Sequence, residues 1–223
     1  DRLDLMCKDG KQIVPGLNMA LIAPKLLEIY KGEKKDFYAD VKAIPISLLE
    51  MAKSGAKIHI IRNGHSFIKA KLRENCDKGY FASEEESAHY YMNFPYDIND
   101  HTKGYAAVEN TLFFALLTAK TYKENPKEYE RVHKMEENII IKEMDDGSDL
   151  DATLLRFNLP VSFDAGINLD GEIWAQVAQR ISRSEDAMCR WEVVSNSKEE
   201  CDRLNCEVKK ITDEYVKAGL AKY

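Results

Sequence analysis

Between Arg2 and about Ala82 the apolar positions change period repeatedly, from alternation to helical spacing and back, which predicts strands alternating with helices in a parallel or mixed sheet. Residues 3–6 read as a strand, Lys8-Asp9-Gly10-Lys11 as a turn, and 17–30 as a helix bounded by Gly16 and Gly32. Pro24 marks either a kink in that helix or a later start. Further strands are predicted over 37–41, 57–62 and 79–82. Helices are expected over 45–54, with Pro45 in the first turn, and over 66–75.

Apolar residues at 108, 112, 116 and 119 predict a helix over 105–122, interrupted at Asn125-Pro126 and followed by a second, polar helix. Residues 145–151, rich in Asp and poor in apolar side chains, are the expected linker. Beyond them the pattern predicts short strands at 163–169, 172–179 and 188–194. Ser197-Lys198-Glu199-Glu200 then reads as a capping box, opening a helix with Cys201, Leu204, Val208, Ile211 and Tyr215 on one stripe. The expected fold is α/β: a mixed sheet sandwiched by helices over 1–144, then a smaller α+β domain with an antiparallel sheet and C-terminal helix over 145–223.

Composition changes this picture little but narrows the partners. With 44% hydrophobic and 31% charged residues the chain is ordinarily globular. Its net charge of −6 is spread without a basic stripe, so neither nucleic acid nor an anionic membrane is expected as a partner. Apolar runs such as 112–117 fall far short of the roughly 20 residues of a membrane-spanning helix. Cysteines 7, 76, 189, 201 and 206 form no C-x-x-C pair and follow no apolar leader, which predicts a reducing, cytoplasmic setting without structural zinc. The chain opens on Asp1 without a methionine and runs straight into strand-like alternation, as expected of a piece of something longer.

Candidate chemistry gathers at four places. Glu85, Ser87 and His89 follow a predicted strand; carboxylate, hydroxyl and imidazole together suit a polyhydroxylated ligand, although the letters alone fit a solvated acidic loop better. Asn63-Gly64-His65 lies where a strand ends and a helix begins, where first-turn amides and an imidazole face an anion or simply make a turn. Lys42 ends the strand before it. Arg180, Ser182, Arg183 and Ser184 follow a strand and fit either a phosphate cradle, with a bidentate guanidinium, or a polar hairpin.

Taken in order, these stretches resemble the second half of an α-D-phosphohexomutase of the phosphomannomutase/phosphoglucomutase group. Glu85, Ser87 and His89 match the E, S and H of that family's sugar loop G-E-M-S-G-H, with Glu84, Glu86 and Ala88 in place of G, M and G. Gly64, His65, Ser66, Ile68 and Lys69 match T-G-H-S-x-I-K, and Asp40-Val41-Lys42 matches D-V-K. Arg180 and Ser182 match the phosphate loop R-x-S-[NG]-T-x-P, Ser184 replaces its Thr, and Arg183 and Asp186 depart from it. Asp1-Arg2 is similar to the tail of the magnesium loop D-G-D-x-D-R.

The resemblance implies the third and fourth domains of a four-domain enzyme interconverting hexose 6-phosphate and hexose 1-phosphate through a bisphosphate. It implies that Lys42 and His65 assist phosphoryl transfer, and that Glu85, Ser87 and His89 hold the sugar. Arg180, Ser182, Arg183 and Ser184 would hold the distal phosphate. Asp1 would be one of three magnesium ligands, the other two and the phosphoserine belonging to upstream domains. The S-x-H ending of the sugar loop favours mannose and glucose phosphates, and the region near Asp145 becomes a hinge candidate. On this reading the chain is inactive alone. The alternatives are a noncatalytic sugar-phosphate-binding or regulatory relative and an unrelated α/β interaction domain.

Overall fold

The computed structural model describes residues 1–7, 9–29, 36–78, 80–136, 140–146, 153–160, 162–182 and 188–221. In chain order its elements are β1 (Leu5–Met6), β2 (Gln12–Ile13), α1 (Pro15–Ile29), β3 (Asp36–Asp40), α2 (Pro45–Ala52), β4 (Lys57–Ile61) and α3 (His65–Glu74). There follow β5 (Tyr80–Glu85), β6 (His89–Pro95), β7 (Tyr105–Glu109), α4 (Thr111–Glu124), α5 (Pro126–Glu136), β8 (Ile140–Asp146) and β9 (Thr153–Phe157). The last are β10 (Ser162–Phe163), β11 (Ala175–Ser182), β12 (Met188–Ser195) and α6 (Lys198–Lys217). They form two compact units, 1–137 with 161–167, and 138–160 with 168–223. Among the described residues no helix is long and apolar enough to cross a membrane.

The first unit is built on a six-stranded mixed sheet in the order β10-β4-β3-β5-β6-β7. Strands β4, β3 and β5 run parallel, so their carboxyl ends share one edge. Helix α1 is buried along most of its length, from Pro15 to Ala23 and again at Leu26, and packs on α2, α4 and β5. Pro15 takes its first position, where a missing N–H costs nothing. The helix runs through Pro24 rather than starting after it, with Pro24 on its exposed side. Helix α3 packs on β5, β6 and β7, burying Ile68 and Leu72 against Tyr38 and Tyr91.

The second unit is a four-stranded antiparallel sheet, β8-β12-β11-β9, with α6 packed on it. Ala175, Val177, Val193, Cys201, Leu204 and Val208 make its core. Ser197 caps α6, its Oγ accepting from the Glu200 amide at 3.3 Å. The reciprocal half of the expected box goes elsewhere: the Ser197 amide donates to Ser195 Oγ at 3.0 Å, and Glu200 pairs with Arg203.

Several expectations are corrected. The helix predicted over 105–122 begins only at Thr111, because β7 takes 105–109 and Asn110 caps α4 by accepting from the Phe113 amide at 3.0 Å. The strand predicted over 163–169 is cut to its first residue by side-chain turns, in which Asp164 Oδ1 accepts from Gly166 N and Asn168 Oδ1 from Asp170 N. Strand β5 runs past Ala82 to Glu85, so the acidic stretch begins inside the sheet. Asp145 and Asp146, read as the start of a linker, close β8 opposite Arg190 and Cys189; residues 147–151 lie outside the described residues.

Candidate functional site

Lys42, His65 and Glu85 stand at the carboxyl ends of three adjacent parallel strands, β3, β4 and β5. After β3, Asp40 turns the chain: its Oδ1 accepts from the Lys42 amide at 2.8 Å and its carbonyl from the Ala43 amide at 3.0 Å. The Lys42 ammonium lies 3.7 Å from Asp40 Oδ2, and both residues are buried. After β4, Gly64 adopts φ +121°, a conformation that L side chains rarely take, and as the N-cap of α3 it makes no side-chain cap bond. His65 and Ser66 open that helix exposed to solvent, their Nδ1 and Oγ 3.4 Å apart, while Ile68 anchors its inner face.

Strands β5 and β6 are joined by a tight turn over Glu86, Ser87 and Ala88, with Glu85 paired to His89 and the Ala88 amide donating to the Glu85 carbonyl at 2.8 Å. Ala88 sits at φ +67°, a left-handed position that a non-glycine residue seldom takes. Glu86 ties the turn to the start of α2, its Oε1 accepting from the Ile44 amide at 3.2 Å. Gly16 on α1 is the close neighbour: a Cβ there would lie 2.8 Å from Glu86 Oε1 and 2.7 Å from Ser47 Cβ.

Pleating separates the acids. Glu85 shares a face with Ser83, His89, Tyr91 and Glu109, whereas Glu84 points to the opposite face with Tyr90. On the first face Tyr91 Oη donates to Glu85 Oε2 at 3.0 Å, His89 Nδ1 meets Glu109 Oε1 at 2.5 Å, and Lys69 Nζ lies 3.4 Å from Glu109 Oε2. On the second, Glu84 is fully buried and neither carboxylate oxygen has a hydrogen-bond partner among the described residues.

The fold is similar to that of known proteins. A phosphoglucomutase/phosphomannomutase family protein from Burkholderia thailandensis superposes on 94% of this chain with a TM-score of 0.63 and 18% identity, the match covering 43% of the Burkholderia chain. The Paramecium phosphoglucomutase pp63/parafusin, in its open form, matches 87% with a TM-score of 0.52 and 13% identity, covering 38% of that chain. The chain shares its fold with part of these mutases. It spans well under half the length of either. No protein-family model and no curated protein matches the sequence.

Within this fold, burial and neighbouring charges set the electrostatics of the strand-end acids. Burial, followed by repulsion from Glu86, Asp40 and Glu85, holds the Glu84 carboxyl well above its usual range, with Lys42 opposing. At Glu109 burial acts upward, but the His89 hydrogen bond, the His89 charge and Lys69 together carry the carboxyl below its usual range. Burial, then Glu85, raises the Tyr91 hydroxyl, which therefore stays a donor.

Of the residues expected to bind phosphate, Arg180 and Ser182 are not on a loop: they are in β11, opposite Arg190 and Met188. Their side chains, and all of Arg183 and Ser184, lie outside the described residues. Asp1 is exposed, and its carbonyl accepts from Thr111 Oγ1 at 2.7 Å. Among the described residues no three acidic, histidine or cysteine side chains gather as metal ligands, so these residues do not by themselves fit the magnesium site that the family implies. Tyr91 and Glu109 went unread in the sequence. Tyr91 lies two residues from His89 on the same strand face; Glu109 has no local signal, because only the β6–β7 register brings it to the site.

Proposed function

We propose that the chain is the substrate-recognition half of a phosphohexomutase, acting on hexose phosphates of the glucose and mannose type. The observation that carries this reading is the placement of Lys42, His65 and Glu85 on one edge, at the carboxyl ends of β3, β4 and β5. In open α/β sheets this is the edge where ligands bind. Glu85 and His89 offer acceptors to vicinal hydroxyls, and Ser87 offers a donor and an acceptor. Lys42 and His65 bring a cation and an imidazole toward the phosphoryl group, where they stabilise developing charge or relay a proton. In the second unit Arg180, Ser182, Arg183 and Ser184 are the proposed phosphate ligands.

Phosphoryl donation and magnesium binding are assigned to the part of such an enzyme that this chain does not span, so the purified chain should turn nothing over. The departures at 84, 88, 183 and 186 favour a second reading, a noncatalytic sugar-phosphate-binding or regulatory relative. The two share the recognition step and part at turnover in the presence of the rest of the enzyme.

Calorimetric titration with glucose 1-phosphate, mannose 1-phosphate and inorganic phosphate tests recognition. Sugar phosphate should bind more tightly than phosphate, and Glu85→Ala or Arg180→Ala should weaken it. Equal affinity for phosphate, or indifference to both substitutions, would contradict the proposal.

A further inference from the structure

Glu109 is the last residue of β7, paired across the sheet with Tyr91 and pinned by the capping residue Asn110 beside it. Its two oxygens serve different elements: Oε1 lies 2.5 Å from His89 Nδ1 on β6, and Oε2 lies 3.4 Å from Lys69 Nζ on α3. All three side chains are largely withdrawn from water, Glu109 being 13% exposed, His89 15% and Lys69 30%. The Lys69 ammonium also lies 5.7 Å from the centre of the Tyr91 ring, whose hydroxyl holds Glu85. The His89 ring stacks on that same tyrosine, 6.3 Å between centres and 21° between planes.

We propose that Glu109 is a positioning residue of the site, fixing His89 with a proton on Nδ1 so that Nε2 is the ring atom offered to a sugar hydroxyl. An ionised carboxylate can only accept, so a ring nitrogen in contact with it must donate. In the neutral ring this selects the Nδ1–H tautomer and leaves the Nε2 lone pair for a hydroxyl donor; in the charged ring both nitrogens donate. Lys69 adds to the field that favours the ionised carboxylate and ties the strand pair to α3, so the imidazole, the ammonium and Glu85 are set as one unit. This inference rests on the hexose-phosphate reading only for the identity of the ligand.

The test is two-bond proton–nitrogen correlation NMR on the histidine-labelled 223-residue chain, without ligand, at a pH where the rings are neutral. His89 is assigned by the signals that vanish in His89→Gln. The expected result is an Nδ1–H tautomer in the parent and in Lys69→Ala, and a shift toward the Nε2–H form, the ordinary preference of a free imidazole, in Glu109→Gln. An Nε2–H tautomer in the parent overturns the inference even if Glu109→Gln fails to fold, as does an unchanged Nδ1–H ring in a folded Glu109→Gln. The parent's tautomer is read without ligand, so a chain that shows it yet binds no hexose phosphate would sink the functional reading and leave the positioning role standing.

Discussion

The Tyr91 hydroxyl donates to Glu85 Oε2 at 3.0 Å from a ring that is itself fully buried, so the acid at the end of β5 is held from beneath the turn it serves. A carboxylate anchored on one oxygen keeps the other for a ligand and loses little rotamer freedom on binding. Tyr91→Phe keeps the ring and removes only this bond. A hydrogen bond to a charged group contributes about 1.5–3 kcal/mol. The variant should therefore unfold more easily by about that amount and bind glucose 1-phosphate more weakly, read by urea denaturation and calorimetry. Unchanged stability would show that the bond contributes nothing.

Ala88 makes the opposite prediction. A non-glycine residue at φ +67° costs about 1–2 kcal/mol, partly offset by the freedom glycine gains in the unfolded chain. Ala88→Gly should stabilise the first unit by about 0.5–1 kcal/mol, seen as a higher urea midpoint with unchanged slope. Circular dichroism suits this measurement, because both tryptophans, Trp174 and Trp191, belong to the second unit and their fluorescence serves as the control.

Glu84 gives stability a pH dependence of unusual sign for a carboxyl. Its folded pKa is raised above the ordinary carboxyl value, so between that value and the raised one the folded chain binds more protons than the unfolded chain. Stability then falls as pH rises through this window. Glu84→Gln removes the dependence, so its advantage over the parent should be small near pH 4 and grow toward alkaline pH. Parallel stability curves for parent and variant would contradict the assignment.

Gly16 is fixed by space rather than by conformation. An alanine Cβ would lie 2.7 Å from Ser47 Cβ on α2 and 2.8 Å from Glu86 Oε1, and the helix backbone cannot yield as a side-chain tip can. Gly16→Ala should cost about 1–3 kcal/mol, the usual range for overpacking, and disturb the Glu86 contact with Ile44. A variant as stable as the parent would show that α1 and α2 can part freely.

Much of this was legible in the chain because the signals were local. The α6 stripe over Cys201, Leu204 and Val208 and the serine before α6 act within a few residues, whereas Ile211 on the expected stripe is exposed, and Ser197→Ala should cost the second unit about 1 kcal/mol by tryptophan fluorescence. Motif order placed Lys42, His65, Glu85 and His89 near strand ends. What the sequence hid depended on register: β7 was absorbed into a helix because Val108 continues the spacing of Leu112 and Leu116, and with it went the partner of His89. Glu84 and Glu85 are equal as letters and both are buried, and only pleating sends Glu84 to the Tyr90 face and brings Glu85 to the Tyr91 hydroxyl as a ligand candidate.

The most direct test of the central claim is a map of backbone amide shifts in the nitrogen-labelled chain on adding glucose 1-phosphate. The largest first-unit shifts should fall at 42, 64–66 and 85–89, the carboxyl edge of β3, β4 and β5, and be lost in Glu85→Ala. Saturating ligand that leaves this edge unmoved, or that moves residues elsewhere in the unit, would contradict the account.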